Sequence, residues 1–266
     1  MVRPAFLWLV AKDHCVKTFF RTQVDMVLAT DIDGTFFGGT SLHKQQLYEL
    51  LASSTNITIV FVTGHGLEET IPLLTDPFIP GAQFIISDAG ATIVDGYSFK
   101  PVEPLQQDIE NKWPGSSKVR ECLKDFVDLK YREVPQQRRC SFFLENETML
   151  KEIESRMNQL GCDIIYSGHK CIDVLPKMVN RGRTLVKLVD HLQVKSGDVM
   201  VAAGNMNNLS LFQCGYKAVI VGNADEALVE TTKAIKDIYR TQFPGAGGII
   251  MGMEYFGFIS RFSKNR

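Results

Sequence analysis

Asp31 and Asp33 are the residues of this sequence whose type and spacing best suit chemistry. They stand two apart in Asp31-Ile32-Asp33-Gly34-Thr35, directly after the apolar run Met26-Val27-Leu28-Ala29-Thr30. A run that is apolar throughout predicts a central parallel strand covered on both faces. In open α/β sheets, ligands bind beyond the carboxyl ends of such strands. Two carboxylates released there can converge on one phosphoryl group. The first can attack phosphorus and form an aspartyl phosphate; the second can protonate the leaving oxygen and later take a proton from water. Asp-Gly is also a common turn dipeptide, so an acidic turn is the bland alternative. Thr63 closes a second apolar run, Ile57 to Val62. Its hydroxyl can donate to a phosphate oxygen or cap a helix over Gly66 to Leu74, and the two roles are compatible.

These side chains need a frame. Strands are expected at Met26 to Thr30, Ile57 to Val62 and Gln83 to Ser87, then at Asp198 to Ala203 and Lys217 to Val221, with helical stretches between them. That alternation predicts an α/β fold built on a parallel sheet. The first helix is expected to be capped by Ser41 and to carry Leu42, Leu47, Leu50 and Leu51 on one side. Between about Gly90 and Gly168 the segments are more polar. Helical patterns (Val119 to Lys130, Thr148 to Leu160) alternate there with strand patterns (Arg139 to Leu144, Cys162 to Tyr166), which reads as a small inserted α+β module. Gly245 to Gly248 read as a glycine turn opening a C-terminal helix; with no Lys after them they are not a phosphate-binding P-loop. The expected organisation is an N-terminal extension over 1–24, a core over 25–88 and 180–266, and an inserted domain over 89–179.

Composition narrows the function classes. Of 266 residues, 45% are hydrophobic and 22% charged, which suits an ordinary globular protein with a substantial core. Lys plus Arg (29) nearly cancels Asp plus Glu (30), without the basic excess expected of a nucleic-acid-binding protein. The six cysteines include no CxxC pair, so most read as small buried apolar groups in a reduced environment, and zinc ligation is disfavoured. The apolar run Pro4 to Ala11 is too short to span a bilayer, and Lys12-Asp13-His14 replaces a small-residue cleavage site. A cytoplasmic protein with no membrane partner is the expectation.

The DxDGT string resembles the first motif of the haloacid dehalogenase superfamily of phosphatases, and the likeness runs from about Asp25 to the end of the chain. It is similar in particular to the branch containing sucrose-phosphate and glucosylglycerol-phosphate phosphatases. The shared features are Val62-Thr63-Gly64, Ile86-Ser87-Asp88-Ala89-Gly90-Ala91, Ile172-Asp173-Val174-Leu175-Pro176 followed by Asn180-Arg181-Gly182, and Gly245-Ala246-Gly247-Gly248 to Tyr255-Phe256-Gly257. The resemblance implies a Rossmann-like core and a mobile cap between the second and third motifs. It also implies Mg²⁺-dependent hydrolysis of a sugar phosphate, with Asp31 as nucleophile and Asp33 as acid and base. Gly64 and His65 belong to the second motif as substrate-contact candidates, although Arg often stands at the position of His65. In the third motif the branch usually has Lys before Gly, a cation that offsets charge on the transferring group. Arg181 holds that place, with Lys177 its nearest competitor and a solvated helix start the alternative. Asp173 is a candidate for the cap hinge or the sugar, and Asp88 a secondary one.

At the fourth motif the pattern departs. The family has Gly-Asp-x-x-Asn-Asp there, whose first Asp binds Mg²⁺; this chain reads Gly204-Asn205-Met206-Asn207-Asn208. Aligned from the left, Asn205 takes the ligand position; aligned from the right, the ligand is missing and Asn208 replaces the last Asp. The expected metal set is Asp31, Asp33 and the Asn205 amide oxygen; the alternative is that these asparagines only cap the following helix. Three functions stay open: a sugar-phosphate phosphatase, a catalytically weakened relative that binds a sugar phosphate or a protein, and a phosphoryl transferase between sugar carbons. The sequence leaves the oligomeric state open.

Overall fold

The computed structural model describes residues 26–260 apart from positions 134, 136 and 169. The extension expected over 1–24, with its apolar run and Cys15, lies outside the described residues. The chain begins with β1 (Met26–Asp31), α1 (Ser41–Ser53), β2 (Ile57–Val62), α2 (Leu67–Leu73), β3 (Phe84–Ser87), β4 (Thr92–Asp95) and α3 (Leu105–Glu110). It continues through α4 (Ser116–Leu123), β5 (Leu129–Arg132), β6 (Cys140–Leu144), α5 (Leu150–Gln159), β7 (Cys162–Ser167) and β8 (Cys171–Pro176). It closes with α6 (Arg181–Leu192), β9 (Val199–Ala203), α7 (Leu209–Phe212), β10 (Lys217–Ile220), α8 (Glu226–Thr231), β11 (Ile238–Arg240) and α9 (Gly245–Tyr255).

Seven strands form one sheet in the order β11-β10-β9-β1-β2-β3-β4. All its pairs are parallel except β3 with β4. Every residue of β1 and of β9 is buried, and alternate residues serve opposite faces, as the period of a strand requires. Val27 and Ala29 pack into a core with Leu185 and Leu188 of α6 and Ile109 of α3. Met26 and Leu28 pack into a second core with Leu47 of α1 and Ile249 and Met253 of α9. Each buried aliphatic side chain contributes about 1.5–3 kcal/mol, so this two-sided burial holds the central strands rigidly. The chain runs outward from β1 through β2 and β3, returns, and runs outward on the other side through β9 and β10. The direction reverses between β1 and β9, and that reversal opens the crevice in which such sheets bind ligands.

The inserted module is an antiparallel sheet, β5-β6-β8-β7. It has a separate core in which Val119 of α4, Ile153 and Met157 of α5, Phe142 and Val174 are buried. The α/β core with an inserted α+β cap therefore stands as expected, but several details differ. Residues 89–112 were expected in the cap; instead β4 pairs with β3 in the large sheet, and Val102, Leu105 and Ile109 join its core. The helix expected to run to Lys130 ends at Leu123, and Leu129–Arg132 pairs with β6 as a strand. Thr40, not Ser41, caps α1 by accepting from the His43 amide, and Leu42 is exposed on the solvent side. Gly245 to Gly248 are the first turn of α9 itself, where small residues let the helix lie close to α1.

Candidate active site

The sheet register decides which residues meet. Asp31 ends β1 opposite Val62 of β2, so Thr63 stands one residue beyond it. On the other side Thr30 pairs with Ala202 of β9, which places Gly204 and Asn205 just past Asp31. Three loops thus leave the sheet side by side at the switch point. The cap lies over them, and together they enclose a cleft of about 350 Å³. Asp31, Asp33, Thr63, Gly64, His65 and Arg181 line its core side, and Arg132, Arg139, Ser141, Ser167 and Asp173 reach it from the cap.

Asp31 is 4% exposed. Burial pushes its carboxyl up to about 6, against the attraction of Arg181 and with a smaller push from Asp33. Arg181 is the first residue of α6, whose preceding residue, Asn180, caps the helix by accepting from the Arg183 amide at 2.9 Å. Although charged, Arg181 is only 8% exposed. Its Nη1 donates to Asn208 Oδ1 at 2.9 Å, while its buried Nε has no partner. Gly64 faces the same guanidinium: a Cβ at this position would stand 2.2 Å from Arg181 Nη2, so a larger residue would push the guanidinium aside. Thr63 Oγ1 accepts from the His65 amide at 3.1 Å, and the N-cap of α2 is Gly66, not Thr63. That bond leaves the hydroxyl proton of Thr63 for a ligand.

Asp33 is more open, and its Oδ2 lies 2.9 Å from His65 Nε2. His65 Nδ1 lies 3.3 Å from Glu69 Oε2, which also accepts from the Gly66 amide. His65, expected to contact substrate, is thus turned to hold Asp33 at the rim of the cleft. Lys177 does not join the cluster. It bonds to Asn158 and pairs with Asp163 at 2.8 Å on the cap, so Arg181 is the third-motif cation that meets Asp31. Asp173 lines the cleft, accepts from Ser141 Oγ, and lies 3.6 Å from Arg139.

The asparagines settle their own orientation. A guanidinium only donates, so Asn208 must turn Oδ1 to Arg181. Its Nδ2 then donates to Asn205 Oδ1 at 2.9 Å, and Asn205 Nδ2 donates to Asp31 Oδ2 at 3.1 Å. Neither side chain caps the short helical turn beside it. This orientation bears directly on the Mg²⁺ that the resemblance implies. The Asn205 oxygen is taken by Asn208, its amide hydrogens face Asp31, and Asp33 faces His65. Among the described residues no group of three His, Cys, Asp or Glu could hold a metal ion. The expected set of Asp31, Asp33 and Asn205 therefore does not fit a divalent cation held by the protein.

Sequence reading missed Arg139, just before β6. Its side chain is 9% exposed, and its Nη1 donates to the Gly64 carbonyl at 2.8 Å. Its guanidinium lies between Asp173 of the cap and Asp88 of the core, at 3.6 and 3.9 Å. Asp88 is buried, which raises its pKa, and Thr92 Oγ1 donates to it at 2.8 Å. The two consecutive arginines, Arg138 and Arg139, were the available signal, but nothing local marked either one as buried.

A Rossmann-like parallel sheet with an inserted cap over paired aspartates at its switch point defines the haloacid dehalogenase class. A family model described as sucrose-6F-phosphate phosphohydrolase matches residues 24–257, and the chain belongs to this family. Among relatives, it is 39% identical over 237 residues to the glucosylglycerol-phosphate synthase of Pseudomonas anguilliseptica, a match covering 89% of this chain and 31% of that one. It is 24% identical over 244 residues to the mannosylfructose-phosphate phosphatase of Agrobacterium fabrum, covering 88% of this chain and 98% of that one. Its fold is similar to that of the sucrose-phosphatase from Synechocystis in complex with sucrose and phosphate. The TM-score is 0.76 at 20% identity, over 88% of this chain and 98% of that one. No helix among the described residues is long and apolar enough to cross a membrane.

Proposed function

We propose that this protein hydrolyses the phosphate ester of a sugar phosphate of the sucrose-phosphate or glucosylglycerol-phosphate type. The observation that carries this reading is Asp31, buried beside Arg181 at the switch point, with Asp33 on the same turn and all three lining one cleft. Asn205 donates to Asp31 Oδ2, and the carboxylate so held attacks phosphorus. As the P–O bond to the sugar breaks, the leaving oxygen takes a proton from Asp33, and the phosphoryl group is left on Asp31. Asp33 then removes a proton from water, whose oxygen attacks phosphorus. Phosphate leaves and the Asp31 carboxylate is restored. Arg181 and the Thr63 hydroxyl face the charge that develops on the phosphoryl oxygens. Arg132, Ser141, Ser167 and Asp173 offer the cap-side polar groups that a hydroxyl-rich sugar body requires. The donor set does not fit a protein-held Mg²⁺, and the side chains of the cleft carry the proton transfers and face the phosphoryl charge.

The test is phosphate release from sucrose phosphate, glucosylglycerol phosphate and hexose phosphates by the wild type and by Asp31→Asn. The wild type is expected to be faster on at least one. Equal rates across the panel would refute hydrolysis and leave the binding-protein reading, which the missing fourth-motif carboxylates favour.

A further inference from the structure

We infer that Asn205 and Asn208 are positioning residues that carry the influence of Arg181 to Asp31, and that this chain of amides occupies the role of a protein-held divalent cation. The inference takes the assignment of Asp31 as nucleophile from the proposed function, but its central test does not depend on that assignment.

The bonds run in one direction only. Arg181 Nη1 donates to Asn208 at 2.9 Å, Asn208 to Asn205 at 2.9 Å, and Asn205 to Asp31 at 3.1 Å. Each amide is therefore oriented with its positive, hydrogen-bearing end toward the carboxylate. Asn208 is fully buried and Arg181 nearly so, and hydrogen bonds in such a low-dielectric setting polarise one another along the chain. The result is a donor aimed at Asp31 Oδ2, added to the direct attraction of Arg181 and a direct contribution from Asn208, all of which favour the Asp31 carboxylate. To offer an oxygen to a cation, Asn205 would have to turn over. Its NH₂ would then meet the NH₂ of Asn208, its oxygen would meet the Asp31 oxygen, and both bonds would be lost at once.

An aspartate at position 205 behaves differently. It can still accept from Asn208, but it presents a carboxylate oxygen to the Asp31 carboxylate, and two carboxylates so close call for a cation between them. Asn205→Asp should therefore create what the wild type lacks.

The experiment titrates the full chain with Mn²⁺ alone and follows free Mn²⁺ by its EPR signal, comparing wild type with N205D. N205D is expected to bind roughly tenfold or more tightly than the wild type. Equal affinities, or tighter binding by the wild type, would overturn the inference. A second arm measures kcat and KM on the preferred sugar phosphate after EDTA treatment. The wild type should retain its rate. N205A should lose about tenfold in kcat with little change in KM, because its loss lies in the orientation of the attacking group rather than in substrate binding. Loss of the wild-type rate in EDTA, or an N205A whose only defect is a lower melting temperature, would also overturn the inference. If the wild type released no phosphate from any substrate, the proposed function would fail, and the Mn²⁺ comparison would still decide this point.

Discussion

Burying Asp31 carries a cost. Its carboxyl is raised from the ordinary aspartate value near 3.8 to about 6, chiefly by burial. The native state therefore holds a proton on this group between those two values that the unfolded chain has released. Stability falls as pH rises through that window. A shift of about two pKa units corresponds to roughly 3 kcal/mol lost by neutral pH. Asp31→Asn is accordingly expected to melt at a higher temperature than the wild type at pH 7.5, with the gain shrinking as the pH approaches 4. Calorimetry at the two pH values checks this. In the proposed mechanism Asp31 attacks as a carboxylate, so the wild-type rate should decline as pH drops through about 6. The acidic pair was legible in sequence because both of its members, and the strand that carries them, are contiguous. Asn205 and Asn208 were visible but unoriented, since their direction is fixed by Arg181, whose guanidinium comes from a distant helix. Lys177 was misplaced for the converse reason: four residues from Arg181 in sequence, it pairs with Asp163 across the cap.

The secondary-structure elements show where local pattern suffices. β1, β2 and β9 were readable as unbroken apolar runs because both of their faces are covered. β4 was not: it is four residues long, antiparallel, and lies at the sheet edge. Its neighbour, the turn Asp88-Ala89-Gly90, has positive φ at all three residues. A Cβ at Gly90 would stand 2.3 Å from the Asn180 carbonyl carbon, so the turn sits against the start of α6. Thr184 Oγ1 fastens the two by donating to the Gly90 carbonyl at 2.7 Å in a buried setting. Thr184→Val would leave that carbonyl unpaired at a cost of about 1–3 kcal/mol. The expected result is a melting temperature lower by several degrees, together with a reduced rate, since Arg181 begins the same helix. Thermal melts and phosphate-release assays on one sample test both.

Among the described residues two cores lie on one sheet and a third in the cap; Leu175 of β8, with Ile165 of β7 beside it, packs into one of the sheet's cores, and charged side chains also bridge the cleft. Arg139 is prominent among them, reaching from the cap to the Gly64 carbonyl and standing between Asp173 and Asp88. Its partners lie 34 to 75 positions away in sequence, which is why no local motif revealed it. Arg139→Ala should release the cap, increasing the radius of gyration in small-angle scattering. It should also lower kcat/KM for a sugar phosphate about tenfold or more, because reacting groups lose their alignment.

Val119, Phe142, Ile153 and Met157 give the cap a core of its own, while Leu175 of β8 carries the cap sheet into one of the cores below. Where warming frees Leu175 from the core below, the lid over the cleft is expected to loosen while the larger cores of the platform hold. Inactivation would then precede denaturation, and a population still fully folded by its sheet signal would already have fallen silent, ready to recover on cooling without having to refold from the beginning.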